Sequence, residues 1–206
     1  MVIFLVHIRD PQFYALPAKT RAENGNIRVM GFPPIGIMSL ASVIKQAGHE
    51  CVMFDQANPD TPNQVIIDRI NQEQPALVGL SFLSTTSYPY AKMLAREIRA
   101  TNQKVKLAFG GVFASLNAPL VKLQCPEVDF VCRGDGEQLL LDLLANFDNP
   151  QDVASLTWMK DGQVIQNPNR AMERQLDQWT TISTSARRQG LGPQSLRLLD
   201  AAQRPP

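Results

Sequence analysis

Five short apolar runs alternate with stretches whose apolar residues recur every three or four positions. Runs without polar interruption belong to strands buried on both faces. They predict strands at 2–7, 51–54, 76–82, 105–109 and 128–132. The first helix is predicted at 35–47, where Pro33-Pro34 opens it, Ile37, Leu40, Ala41 and Ile44 form its apolar stripe, and Gly48 stops it. A second helix carries Val65, Ile66, Ile67 and Ile70 and is expected to be capped by Thr61 or Asn63. Further helices are expected near 88–100, 117–123 and 137–147. Strands alternating with helices imply parallel pairing in a doubly wound α/β sheet.

Two stretches break the alternation. Residues 9–33 form a long polar connection, and a loop of that length in a compact domain is usually functional or disordered. Near the other end, 154–159 and 164–165 flank Lys160-Asp161-Gly162-Gln163, the pattern of a β-hairpin. The expected organisation is one α/β domain over 1–150, a hairpin and connector over 151–179, and a disordered or truncated tail over 180–206.

Composition narrows the function classes. Hydrophobic residues make up 44% of the 206, enough for a packed core. A formal net charge of +1 gives no electrostatic case for nucleic acid. No apolar run is long enough to span a bilayer, so no membrane partner is expected. Met1 to Val6 lacks the basic leader and cleavage site of a signal peptide and reads better as a buried first strand. Cys51, Cys125 and Cys132 are odd in number and scattered, with neither a disulfide framework nor metal spacing, so a reducing cytoplasm is expected.

Three motifs follow strands directly. Ser81-Phe82-Leu83 ends the third, Gly110-Gly111 the fourth, and Arg133-Gly134-Asp135-Gly136-Glu137 the fifth. Ligands in open α/β sheets bind outside the carboxyl ends of the strands, so these loops outline one site. Gly110-Gly111 removes two β-carbons and lets a bulky ligand lie against bare backbone; a tight turn into the next helix is the plainer reading. Ser81 offers a hydroxyl at the tip of a central strand, although alone it is more often a cap or turn residue. Asp135 and Glu137 sit near a helix start, where the dipole favours carboxylates and capping is sufficient reason for them. They would repel a pyrophosphate and suit a ligand rich in hydrogen-bond donors, such as amides.

Several sites are excluded. Gly-Lys-Ser or Gly-Lys-Thr of a nucleotide P-loop is absent. His7-Ile8-Arg9-Asp10-Pro11 stands where a dinucleotide fingerprint belongs, and Ser81 where a receiver domain would place its aspartate. No Ser/Thr-rich loop follows the first strand to hold a flavin phosphate. His49 falls on the rim away from the ligand loops, whereas His7 is on the correct rim without companion ligands.

Taken together, these residues resemble the amino-terminal cobalamin (vitamin B12)-binding domain of cobalamin-dependent radical S-adenosylmethionine (SAM) enzymes. Pro34 to Ala41, then Gly48-His49-Glu50 and Asp55, are similar to that family's first helix and second strand. Ser81-Phe82-Leu83 matches its Ser-x-Leu element, Gly110-Gly111 its Gly-Gly element, and Arg133 to Glu137 its acidic glycine stretch. The likeness runs to about residue 179, including Asn167-Pro168 and Leu176-Asp177.

The resemblance implies a Rossmann-like, flavodoxin-type sheet of five parallel strands in the order 2-1-3-4-5, with cobalamin across its carboxyl rim. The implied contacts are Ser81, Phe82, Leu83, Ser84, Gly110, Gly111, Val112, Arg133, Gly134, Asp135, Gly136 and Glu137. The Asp-x-His-x-x-Gly motif is missing after the first strand, which implies no protein histidine on cobalt and no metal-ligating residue. The Cys-x-x-x-Cys-x-x-Cys motif of a [4Fe–4S] cluster is also missing. The implied picture is a truncated or split parent enzyme, of methyltransferase or cyclase type, without its radical domain. Cluster and S-adenosylmethionine would belong to that domain, in the full-length protein or a separate subunit, and this chain alone would have no catalytic residues. The competing reading is a flavodoxin-like regulatory or interaction module without cofactor, with all three motifs serving as turns and caps.

Overall fold

The computed structural model describes residues 1–10, 34–57 and 61–171, and the backbone of 187–189. Most of the 9–33 connection, the Leu176-Asp177 part of the connector and most of the tail lie outside the described residues.

Along the chain run β1 (Val2–His7), α1 (Ile35–Gln46), β2 (Glu50–Asp55), α2 (Asn63–Glu73), β3 (Leu77–Ser81) and α3 (Tyr88–Thr101). There follow β4 (Lys106–Gly110), α4 (Val112–Leu116), α5 (Ala118–Gln124), β5 (Phe130–Cys132) and α6 (Glu137–Ala145). The chain then forms β6 (Leu156–Lys160), β7 (Gln163–Gln166) and β8 (Arg187–Gln189). One sheet takes them all in the order β7-β6-β5-β4-β3-β1-β2-β8. Its parallel centre has the predicted order, with β1 between β2 and β3.

Strand alternation splits the core in two. Ile3 and Leu5 of β1 pack under α1 and α6 with Ile44 and Leu143, while Phe4 and Val6 pack under α2 and α3 with Ile70 and Leu94. Both faces of β1 are covered, which is why its apolar run is continuous. Each fully buried Ile or Leu contributes about 1.5–3 kcal/mol over its exposed state.

Two details go beyond the sequence reading and one departs from it. The hairpin continues the sheet, with β6 antiparallel to β5 (Val131↔Thr157, Cys132↔Leu156), and so covers the edge β5 would otherwise expose. Its turn is tight because Asp161 and Gly162 both hold positive φ, 49° and 78°. In the tail, Arg187–Gln189 pairs in parallel with β2, so this piece carries a backbone ladder. Finally, no side chain caps α2, since Pro62 occupies the N-cap and the Asn63 side chain bonds Gln56 and Glu97 instead.

Candidate functional site: a glycine-lined cavity at the carboxyl rim

The chain leaves β1 toward β2 and returns on the far side to β3. Such a switch point leaves a crevice at the strand ends. Beside it, at the ends of β3, β4 and β5 and beneath α1 and α6, lies a cavity of about 250 Å³.

The cavity is made by missing side chains. Gly36, Gly79, Gly110, Gly111, Gly134 and Gly136 all line it, half of the chain's 12 glycines. A β-carbon on Gly36, Gly110 or Gly134 would meet nothing within 4 Å. Gly111 differs. Its φ is +94°, and a β-carbon there would lie 2.3 Å from the Phe82 carbonyl oxygen. Gly111 therefore permits the close passage of two loops, while Gly110 leaves space. Ile37, Leu40, Leu139 and Leu140 give the remaining wall an apolar surface.

Hydrogen bonds hold the rim loops together. Ser115 of α4 donates to the Gly111 carbonyl at 2.9 Å and accepts from the Gly134 N–H at 3.1 Å, joining the second and third motif loops. Ser39 of α1 donates to Glu137 Oε1 at 2.7 Å, pinning α1 to the start of α6 across the cavity. Asp10 accepts from the hydroxyls of Ser84, Thr86 and Ser87, which ties the loop after β1 to the loop after β3. His7 Nδ1 lies 2.9 Å from Asp55 Oδ1, linking β1 to β2 at the same rim. Cys132 faces the cavity as a neutral thiol, its pKa pushed up to about 12 by burial.

The sequence-predicted contacts divide by location. Ser81, Gly110, Gly111, Gly134, Asp135, Gly136 and Glu137 line the cavity together. Leu83 and Val112 stand exposed on the rim beside it. Ser84 is taken up in the Asp10 cluster. The Phe82 ring is fully buried on the opposite face, 5.1 Å edge-to-face from Phe109, and can offer a ligand only its backbone. The Arg133 guanidinium turns to the Asn167 carbonyl and the Asn169 side chain. Sequence reasoning missed Gly36 and Gly79 as lining residues and Ser39 and Ser115 as clamps. The helix α4 that carries Ser115 was also missed. For Gly79 a signal existed, since glycine inside a strand marks a close approach.

Residues 29–144, more than half of the chain, match the model of the B12 binding domain family. The chain belongs to this family.

The relatives that this chain matches are longer proteins. One relative is the anaerobic magnesium-protoporphyrin IX monomethyl ester cyclase of Synechocystis sp., 26% identical over 70% of this chain and 30% of its own length. Another is an uncharacterized methyltransferase of Pyrococcus horikoshii, 29% identical over 76% of this chain and 35% of its own. The chain spans about a third of the length of these curated relatives. Among solved structures, the radical S-adenosylmethionine methyltransferase TsrM of Kitasatospora setae, with cobalamin and a [4Fe–4S] cluster bound, superposes with a TM-score of 0.65 at 13% identity. That match covers 94% of this chain and 32% of TsrM. The cobalamin-dependent radical enzyme OxsB gives 0.61 at 18% identity, covering 83% and 22%. The resemblance read from the sequence is borne out, as is its Rossmann-like fold. This is a cobalamin-binding domain that shares its fold with cobalamin-dependent radical SAM enzymes.

Proposed function

We propose that this chain holds cobalamin across its carboxyl rim, with one arm of the cofactor in the glycine-lined cavity. The observation that carries the reading is the cavity itself, six glycines and an apolar wall at the strand ends of a B12 binding domain. At about 250 Å³ it is too small for the whole cofactor, so an appendage enters and the macrocycle rests on the rim. Bare backbone along β3 and β4 gives the appendage a flat apolar floor. Ser81 supplies a hydroxyl there, and Asp135 and Glu137 supply acceptors for the amides at the macrocycle's edge. Leu83 and Val112 offer apolar contact around the mouth.

When bound, cobalamin supplies a cobalt centre able to carry a methyl group or assist radical chemistry. The protein's part is to bind and orient it. The thiols of Cys51, Cys125 and Cys132 lie on β2, after α5 and on β5, a placement unsuited to a shared cluster. We assign the [4Fe–4S] cluster and S-adenosylmethionine chemistry to a radical domain outside these 206 residues, in the same polypeptide or a separate subunit. Equilibrium dialysis against hydroxocobalamin tests the reading. Saturable binding at one site per chain is expected; its absence would leave a cofactor-free interaction module as the better description.

A further inference from the structure

Four residues form a transverse row at the rim. Asp55, His7, Ser81 and Gly110 stand in register on the adjacent strands β2, β1, β3 and β4 (His7↔Asp55, His7↔Ser81, Ser81↔Gly110). Strand alternation places all four on the cavity face. Leu5 and Met53, two residues before His7 and Asp55, pack under α1 and α6, and Gly79, two before Ser81, lines the cavity. Ser81 and Gly110 belong to the cavity. His7 does not line it, but is its in-register neighbour one strand away.

The row sets which nitrogen of His7 faces Asp55 with a proton. Asp55 is only 6% exposed, and its Oδ1 already accepts the Ala57 N–H at 2.9 Å. An ionised carboxylate is an acceptor only, so Nδ1 of His7, 2.9 Å away, must carry the proton. In the neutral imidazole this leaves Nε2 as a lone-pair acceptor. Nε2 has no hydrogen-bond partner among the described residues, and the side chain is partly exposed. The imidazole is also tied sideways. Its Cα sits within the β1 ladder, and Nδ1 is held toward β2, away from the cavity. Such a ring can accept a hydrogen bond from a molecule resting on the rim.

We infer that His7, its Nδ1 proton held by Asp55, accepts a hydrogen bond at Nε2 from an amide or water of bound cobalamin. The inference rests on the cobalamin reading above and adds a positioning contact to it. His49 plays no part. It lies between α1 and β2 on the opposite rim.

The chain has two histidines, so ¹⁵N-histidine labelling gives two imidazoles to follow by NMR, with His49 as the internal control. At a pH where both imidazoles are neutral, the intact free chain should show one ring protonated at Nδ1 with an unprotonated Nε2. Saturating diamagnetic hydroxocobalamin should shift that Nε2 resonance by a hydrogen-bond-sized amount and leave His49 unmoved. In dialysis, His7→Phe should weaken binding about five-fold, or ~1 kcal/mol, and His7→Gln, which keeps an acceptor, should restore most of it. An unmoved His7 in a sample that dialysis shows to be saturated would overturn the inference and leave the cobalamin reading standing. A protein-nitrogen splitting in the paramagnetic resonance spectrum of bound cob(II)alamin that vanishes in His7→Gln would overturn it too, by making His7 a cobalt ligand. No binding in dialysis would remove the cobalamin reading, and this inference with it.

Discussion

Gly110 and Gly111 are adjacent, yet they should fail in different ways. A β-carbon on Gly110 meets nothing within 4 Å, so Gly110→Leu grows into the cavity. Four added carbons, each about the ~30 Å³ of a water molecule, take roughly 100 Å³. The cavity offers about 250 Å³, so a large part of the space for the cofactor's arm is lost. Affinity for hydroxocobalamin should fall at least about 100-fold, ~2.7 kcal/mol. Stability should hold, because losing a strand glycine returns about 0.5–1 kcal/mol of backbone entropy against the exposed leucine. Gly111→Ala adds one carbon in the wrong place. It forces a non-glycine residue to φ +94° and drives the carbon to 2.3 Å from the Phe82 carbonyl. A side chain in this glycine-only backbone region (ψ 176°) costs about 1–3 kcal/mol, and with overpacking of about 1–3 kcal/mol the loss should be near 3 kcal/mol. For a domain of this size the melting temperature should drop roughly 6–12 °C. Dialysis and thermal unfolding of both variants separate the roles. Unchanged affinity in a folded Gly110→Leu would refute the cavity as the binding site. An unchanged melting temperature in Gly111→Ala would refute the close-passage argument.

Three more outcomes follow from the same geometry. Burial pushes the thiols of Cys51, Cys125 and Cys132 from 9.0 up to about 12. Because the folded values lie above the unfolded ones, this stabilisation is fully present below about pH 9 and is lost as pH rises toward 12; urea midpoints should decline over that window, and a midpoint that rises there would contradict the assignment. Ser39→Ala removes the hydroxyl bonded to Glu137 and should cost about 1–2 kcal/mol in urea unfolding, with Glu137→Gln recovering none of it in the double variant; additive losses would show that the two side chains do not couple. In the chain alone, β2 and β5 are four strand intervals apart, roughly 19 Å at ~4.8 Å each, so iron–sulfur reconstitution should yield no 5′-deoxyadenosine from S-adenosylmethionine, and product above a no-protein control would overturn the assignment of that chemistry to another domain.

What the sequence determined by itself was local and periodic. A buried strand is apolar at every position and an amphipathic helix at every third or fourth, because backbone geometry sets those repeats within a few residues. The five parallel strands and the three rim loops were legible on that basis, while the strand order came from the family resemblance. So was the tight turn at Asp161-Gly162, where two positive φ angles demand such a pair. The cavity was legible only in part, because an absence of side chains is shared among residues far apart. Gly36 and Gly79 join Gly110 and Gly134 only once α1 docks and the strands are in register. Facing was decided the same way. Ser81 and Phe82 are consecutive, but strand alternation sends one into the cavity and the other into the opposite core. Tertiary structure also separated Gly110 from Gly111, since only the nearness of the Phe82 carbonyl distinguishes a space-giving glycine from an obligatory one. The pairing of His7 with Asp55 spans 48 positions and exists because β1 and β2 lie side by side in register, a relation no local pattern encodes.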